Sequence, residues 1–315
     1  MFDIIARARG SMAALPTPYR FGKVDTEALE GLSDRLIADG LSALLPCGTT
    51  GEAPLLTPEE HRLVVARTVA AAAGRVPVIA GAGSNNTQTA VELARSAEKA
   101  GAAALLCVTP FYLKPSQAGL FAHFKAIHDA VELPLLLYDV PSRTACALAD
   151  VTVRRLADLP RVVGLKDATG NIPRVPRLRR RLGNRFLLLS GDDGTQAAFR
   201  LVGGDGCISV TANVAPALCA GLHRACDARD GEEIARLERI LAPLHAAFFL
   251  EANPIPLKRA LYHLGLMGDG LRLPLTPLGP LDDQKLVHVL DTIAPAERAA
   301  RLSLPPSRPR LPHAA

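Results

Sequence analysis

Val162-Val163-Gly164-Leu165-Lys166-Asp167-Ala168-Thr169-Gly170 is a strand that runs into a turn. Apolar or small residues lead straight to one lysine, and Asp-Ala-Thr-Gly then breaks the run. Lysine is among the residues least often fully buried. At the end of an apolar strand it either snorkels out of the core or is placed there to react. The same unit, an apolar run closed by Gly, Pro, Thr or Asp and followed by a helix-like segment, recurs along the chain. The runs are Ala13-Leu15, Leu41-Leu45, Val76-Ala80, Ala102-Val108, Leu133-Tyr138, Val162-Leu165, Phe186-Leu189 and Gly206-Val210. They lie roughly 20 to 35 residues apart, the size of a βα unit.

The intervening segments carry helix signals. Asp25 is placed to cap a helix ending near Gly40, and Thr57-Pro58-Glu59-Glu60 is a capping box whose helix ends at Gly74. Thr87 to Gly101 and Ser116 to Val131 repeat the scheme. In the second, Leu120, Phe121, Phe124, Ile127 and His128 form one apolar stripe, which reads as core with a structural histidine. Pro173 and Pro176 delay the next helix, which is expected to start near Pro176. Alternating strands and helices imply a parallel sheet covered by helices. Eight short, nearly continuous apolar strands predict an α/β fold, a closed (β/α)8 TIM barrel, over residues 1–228. A C-terminal helical region is expected at 229–302 and a disordered tail at 303–315. Gly81-Ala82-Gly83-Ser84-Asn85-Asn86 lacks the third glycine of a dinucleotide fingerprint, so no such fold is expected.

Composition narrows the function. At 49% hydrophobic and 21% charged, the 315 residues can bury a sizeable core. No apolar run is long enough to span a membrane, and Met1 to Pro16 lacks a secretory signal, so a cytoplasmic location is expected. The net charge of +5 is concentrated in Arg174, Arg177, Arg179, Arg180 and Arg181 and in Arg301, Arg308 and Arg310. With 4% aromatics and no stacking platform among these arginines, a solvated helix face and a tail are expected instead of a nucleic-acid site. The six cysteines form no CxxC and read as small buried hydrophobes in a reducing compartment.

In a (β/α)8 barrel the chemistry lies at the carboxyl ends of the strands. Those ends read Cys47-Gly48-Thr49-Thr50-Gly51-Glu52, Thr109-Pro110-Phe111-Tyr112, Tyr138-Asp139-Val140-Pro141-Ser142-Arg143-Thr144, Lys166-Asp167, Ser190-Gly191-Asp192-Asp193 and Ser209-Val210-Thr211-Ala212-Asn213. They contain no histidine, and the chain has no HxH or HExxH, so no metal is expected. Asp192-Asp193 reads better as a helix cap than as a paired-carboxylate site. Amine chemistry is left. A neutral amine attacks a ketone to form a Schiff base, and the protonated imine lets the adjacent carbon become a nucleophilic enamine. Lys166 is the one lysine at these ends, and only seven of the 36 Lys and Arg residues are lysine. Tyr138 and Thr49 can relay the proton, and the Thr50 hydroxyl with the backbone N–H groups of residues 48–51 can hold a carboxylate.

Gly48-Thr49-Thr50-Gly51-Glu52, Tyr138-x-Val140-Pro141-Ser142-Arg143-Thr144 and Gly164-Leu165-Lys166-Asp167-Ala168-Thr169-Gly170 resemble the signatures of the dihydrodipicolinate synthase / N-acetylneuraminate lyase family. The resemblance runs from about Ser11 to Leu281 and takes in Glu251-x-Asn253-Pro254-Ile255-Pro256. It implies that Lys166 condenses with pyruvate and that Thr50 holds the pyruvate carboxylate. Tyr138, Thr49 and Tyr112 would form a proton relay, with Tyr112 reaching in from a neighbouring subunit. Arg143 would bind the carboxylate of aspartate semialdehyde, and the backbones of Gly191 and Ile208 would line the site. The product would be 4-hydroxy-tetrahydrodipicolinate, no cofactor is implied, and the assembly would be a homotetramer built as a dimer of dimers. Arg143 and Thr49-Thr50 separate the synthases from the neuraminate lyases, which typically carry Ser-Thr and lack this arginine. A sugar-acid aldolase or dehydratase on the same scaffold is the alternative, and a non-catalytic keto-acid sensor is disfavoured because a sensor needs no nucleophile.

The chain departs from the family pattern at several positions. Asp139 stands for the more usual Asn, and Asp167 for a frequent Glu. At the lysine feedback site Asn85 and His61 fit, but Pro58 replaces a His, Thr89 a Glu and Phe111 a Tyr. Without that Glu the ammonium of lysine has no partner, so weak or absent lysine inhibition is expected.

Overall fold

The computed structural model describes residues 4–304. Eight parallel strands form one sheet: β1 Gly10–Ala14, β2 Leu44–Leu45, β3 Ile79–Gly81, β4 Ala104–Val108, β5 Leu135–Asp139, β6 Val162–Asp167, β7 Leu187–Ser190 and β8 Gly206–Ser209. Their order is β2-β1-β8-β7-β6-β5-β4-β3. A parallel bridge between Leu44 and Val78, with Gly81 N donating to Pro46 O at 2.9 Å, joins the two ends and closes the barrel. All eight expected apolar runs are the barrel strands, because residues buried on both faces need no alternation. A short antiparallel hairpin, Tyr19–Arg20 with Lys23–Val24, was not legible as strand; its four residues carry no apolar run.

The helices are α1 Ile4–Arg7, α2 Thr26–Ala38, α3 Pro58–Ala72, α4 Thr87–Lys99, α5 Gln117–Ala130, α6 Pro141–Thr144, α7 Asp150–Ala157, α8 Arg174–Leu182, α9 Gln196–Leu201, α10 Pro216–Ala228, α11 Gly231–Ala247, α12 Ile255–His263 and α13 Pro280–Leu302. Asp25 caps α2, the Thr57–Glu60 capping box opens α3 and Ser116 caps α5, as their sequences predict. Helix α8 starts at Arg174, two residues earlier than expected. Pro176 then falls in the first turn, where backbone N–H groups have no partner inside the helix, so its missing donor costs nothing.

Side chains divide into two cores. Inside the barrel, Met12, Leu45, Ile79, Leu106, Leu136, Leu187, Leu189 and Ile208 fill the centre, joined by Ile4 of α1 and by Ala8 just after it. Outside it, the other strand faces pack on the helices. The α11–α13 segment packs back on the barrel. Glu297 of α13 accepts the Ala217 and Leu218 amides at 3.0 Å each, capping α10, whose own first residues offer no side-chain cap. No helix among the described residues is long and apolar enough to cross a membrane. The tail expected at 303–315 falls from residue 305 onward outside the described residues.

The arginine cluster is not a solvated face throughout. Arg174 is buried and Arg179 is bonded to the carbonyls of Gly183, Phe186 and Gly203 and to Asp205. Only Arg177, Arg180 and Arg181 are exposed. Charge counting along the chain cannot see that Asp139, Asp167 and Asp205 lie beneath this helix and draw two of its arginines inward.

Candidate active site

At the carboxyl end of the barrel two cavities of about 300 and 320 Å³ share Thr49, Tyr138, Val140, Arg143 and Asn253, and form one cleft. Lys166 lines it from the end of β6. It pairs in register with Tyr138 of β5, which sets the two side chains next to each other. Lys166 Nζ lies 4.4 Å from the centroid of the Tyr138 ring. Its side chain is only 6% exposed, and no hydrogen bond or ion pair joins it to another described residue. Its three donors face the cleft, available to whatever enters.

Gly191, at the end of β7, makes room for that side chain. A Cβ there would stand 2.9 Å from Lys166 Cε and 2.8 Å from Ala168 Cβ. Close approach, not backbone freedom, is what this position requires. Ile208 of β8 is buried and lines the same cavity.

The Gly48–Glu52 loop is a tight turn, with Gly51 N donating to Gly48 O at 3.1 Å and Glu52 N to Thr49 O at 3.1 Å. It sits so close to β3 that a Cβ on Gly81 would fall 2.0 Å from Cys47 O. Thr50 is buried, and its Oγ1 accepts a hydrogen bond from Asn253 Nδ2 at 3.0 Å. The Thr50 hydroxyl proton is thereby left to donate into the cleft. Thr49 lines both cavities.

Arg143 lies on the single turn α6 after β5. It is exposed, lines both cavities and has no ion-pair partner among the described residues. A free guanidinium fork at the mouth suits a planar carboxylate. Tyr112 is the one expected site residue that this chain does not bring into its own cleft. It is 85% exposed, and its φ of 73° is a left-handed conformation rare for a bulky residue.

Three contributions were not foreseen. Asn253, between α11 and α12, positions the Thr50 hydroxyl; its Asn-Pro dipeptide breaking a helical region was the available signal. Asp192 does cap, accepting from Thr195 Oγ1 at 2.7 Å, but Asp193 has a different task. Buried, it accepts from the Val210 and Thr211 amides at 2.9 and 3.1 Å and from the Ser209 hydroxyl, and so fixes the end of β8. His245 of α11 lines the Lys166 cavity beside Asp192 and Asp193. Burial lowers its pKa, against the pull of both carboxylates. Chemically, the cleft presents the Lys166 amine, the Tyr138 phenol, the hydroxyls of Thr49 and Thr50 among others, the Arg143 guanidinium, and the carboxylates and imidazole of Asp192, Asp193 and His245.

Comparison with known proteins gives the family. The family model described as the dihydrodipicolinate synthetase family matches residues 7–293. The 4-hydroxy-tetrahydrodipicolinate synthase of Hyphomonas neptunium is 53% identical over 269 residues, 85% of this chain and 92% of its own. That of Parvibaculum lavamentivorans is 50% identical over 282 residues, 90% of this chain and 97% of its own. Among solved structures, dihydrodipicolinate synthase from Aquifex aeolicus superposes with a TM-score of 0.89 at 41% identity, covering 91% of this chain and 98% of its own. The chloride-inhibited dihydrodipicolinate synthase from Acinetobacter baumannii, complexed with pyruvate, does so with a TM-score of 0.88 at 44% identity, covering 91% and 99%. Matched over nearly its whole length by the family model and half identical to these relatives, the chain belongs to the dihydrodipicolinate synthetase family.

Proposed function

We propose that this chain is a Schiff-base lyase that condenses pyruvate with L-aspartate 4-semialdehyde to 4-hydroxy-tetrahydrodipicolinate, in lysine and diaminopimelate biosynthesis. The observation that carries it is Lys166: a buried amine with no hydrogen-bond or ion-pair partner among the described residues, opening into a cleft that also carries the unpaired guanidinium of Arg143.

The Lys166 amine attacks the keto carbon of pyruvate, and loss of water leaves the imine. The Thr50 hydroxyl and the amides of the Gly48–Gly51 turn other than that of Gly51 hold the pyruvate carboxylate. Tyr138 and Thr49, with Tyr112 supplied by a neighbouring copy, carry the protons. Removal of a methyl proton gives the enamine, which attacks the aldehyde carbon of the second substrate. Arg143 binds that substrate's carboxylate, and the Gly191 and Ile208 backbones line the pocket. The substrate's own amine then adds to the imine carbon, closes the ring and expels Lys166.

The barrel, residues 1–228, supplies these groups, and the helical region 229–302 adds Asn253. The outward, left-handed placement of Tyr112 supports assembly with a neighbouring copy; a homotetramer, a dimer of dimers, in the cytoplasm completes the proposal. With Thr89 at the first turn of α4 in place of an acidic residue, lysine is expected to inhibit weakly or not at all; an inhibition constant below a millimolar would contradict this.

Incubation with pyruvate, borohydride reduction and peptide mapping tests the reading. An adduct at Lys166 is expected, followed by turnover when aspartate semialdehyde is added. Adduct elsewhere overturns the mechanism, and adduct without turnover overturns the second substrate.

A further inference from the structure

The residues that follow Tyr138 and Lys166 face the opposite way. Side chains alternate along a strand, so Asp139 and Asp167 point out of the cleft, toward the helix layer. They are paired in register on adjacent strands and buried, at 0% and 6% exposure. Two carboxylates are thus placed side by side out of water, where the charge of Asp167 opposes ionisation of Asp139.

Arg174, the first residue of α8, lies between them. Its Nη1 donates to Asp139 Oδ2 at 2.8 Å and to Asp167 Oδ2 at 3.1 Å. Its Nε reaches Asp150 at 2.9 Å and its Nη2 the Leu148 carbonyl at 2.5 Å. The carboxylates continue the network into both departing loops. Asp139 accepts the Leu148 amide at 3.2 Å, and Asp167 accepts the Thr169 amide and hydroxyl at 2.9 and 2.6 Å. The frame is tied further by Ala168 N to Asp139 O at 2.9 Å and Gly191 N to Asp167 O at 2.8 Å. Burial raises the Asp139 pKa, and Arg174 opposes that rise. One guanidinium therefore holds the two strand ends one residue beyond the amine and the phenol.

We infer that Arg174 is a positioning residue for the reaction: by pairing Asp139 and Asp167 at once, it fixes Lys166 and Tyr138 relative to each other. The inference rests on the roles proposed above for those two residues. It also accounts for three features of the chain together, the Asp after the tyrosine, the Asp after the lysine and the innermost arginine of the cluster. A misplacement of about 1 Å at a reacting group costs about 100-fold in rate, so strand ends freed by losing the fork would slow imine formation. Pyruvate binding, set by Thr50 in the turn after another strand, would be spared.

The test follows the single-turnover rate of borohydride-trapped pyruvate adduct, with kcat, the pyruvate KM and the thermal midpoint, in Arg174→Met, Arg174→Lys and Asp167→Asn. Arg174→Met is expected to form adduct about 10- to 100-fold more slowly, with the pyruvate KM within about twofold. Arg174→Lys, which restores the charge but not the fork, is expected to fall between. A folded Arg174→Met protein that traps pyruvate within about twofold of the wild-type rate overturns the inference, however large its loss of stability. If Arg174→Met does not fold, Asp167→Asn, equal in shape, decides: about a fivefold slower adduct is expected, and an unchanged rate overturns it. Failure of the wild-type protein itself to form adduct at Lys166 would instead overturn the proposed function, and this inference with it.

Discussion

Lys166 and Lys258 are both buried lysines, and both Nζ atoms lie over a tyrosine ring, 4.4 Å from the Tyr138 centroid and 4.2 Å from that of Tyr19. Lys258, with 0% exposure, is the more deeply buried. Its Nζ donates to Glu52 at 2.5 Å and to the Thr17 carbonyl at 2.9 Å. Burial pulls its pKa down, and Glu52 opposes that. Lys166 has no such partner among the described residues and faces a cavity of about 300 Å³. Burial alone therefore does not mark a nucleophile. A buried ammonium must answer its desolvation somewhere: Lys258 does so with a carboxylate and anchors the Thr49–Thr50 turn from below, whereas Lys166 keeps its donors for a ligand.

The largest effect expected is from Lys166→Ala. It should lower kcat by on the order of 10⁴-fold or more and abolish the trapped adduct, with the thermal midpoint nearly unchanged. A large loss of stability would make Lys166 a structural residue like Lys258. The mirror experiment is Lys258→Met, which strands Glu52 in the interior and should cost about 3–5 kcal/mol in urea unfolding. Lys258→Met combined with Glu52→Gln should recover most of that loss; absence of recovery would show that the pair matters beyond its charges. Arg143→Ala is expected to lower kcat/KM for the semialdehyde about 10- to 100-fold while leaving pyruvate trapping intact, since no buried partner loses its charge.

Histidines extend the comparison to a third answer, loss of the charge. Burial lowers the His223 pKa to about 3, with Arg200 adding to the effect, and burial lowers that of His123 to about 4. Both pKa values are depressed below the unfolded value of about 6.5, so the unfolded chain binds more protons across that window. Stability should be intact above about pH 6.5 and fall as pH drops toward 4, by up to about 1.4 kcal/mol per pH unit for each histidine. Thermal midpoints of wild type and His223→Gln between pH 7 and 4 check this. Equal slopes would remove His223 from the acid sensitivity.

The parts of the molecule that were legible depend on neighbours in the chain. The apolar runs of the eight strands, the Thr57–Glu60 box and the turn at residues 48–51 are local patterns, and the barrel follows from their repetition. Lys166 stood out because one charged residue ends an apolar strand. What escaped detection joins distant residues. Arg174 read as one of five surface arginines, and Asp139 and Asp167 as mild departures, although the three form a single ion cluster. Asp193 read as a cap, but its partners lie on β8.

The sequence by itself determined the strand and helix pattern and singled out Lys166 at the end of an apolar strand, because periodicity, caps and turn residues act over a few positions. Only the tertiary structure decided which buried charged and polar groups are paired. Glu52 and Lys258 are 206 residues apart, Thr50 and Asn253 are 203, and Asp139 and Arg174 are 35. No local propensity links them. Barrel closure and the return of the C-terminal helices bring each pair within hydrogen-bond distance, and the cost of burying an unpaired charge then fixes the partners.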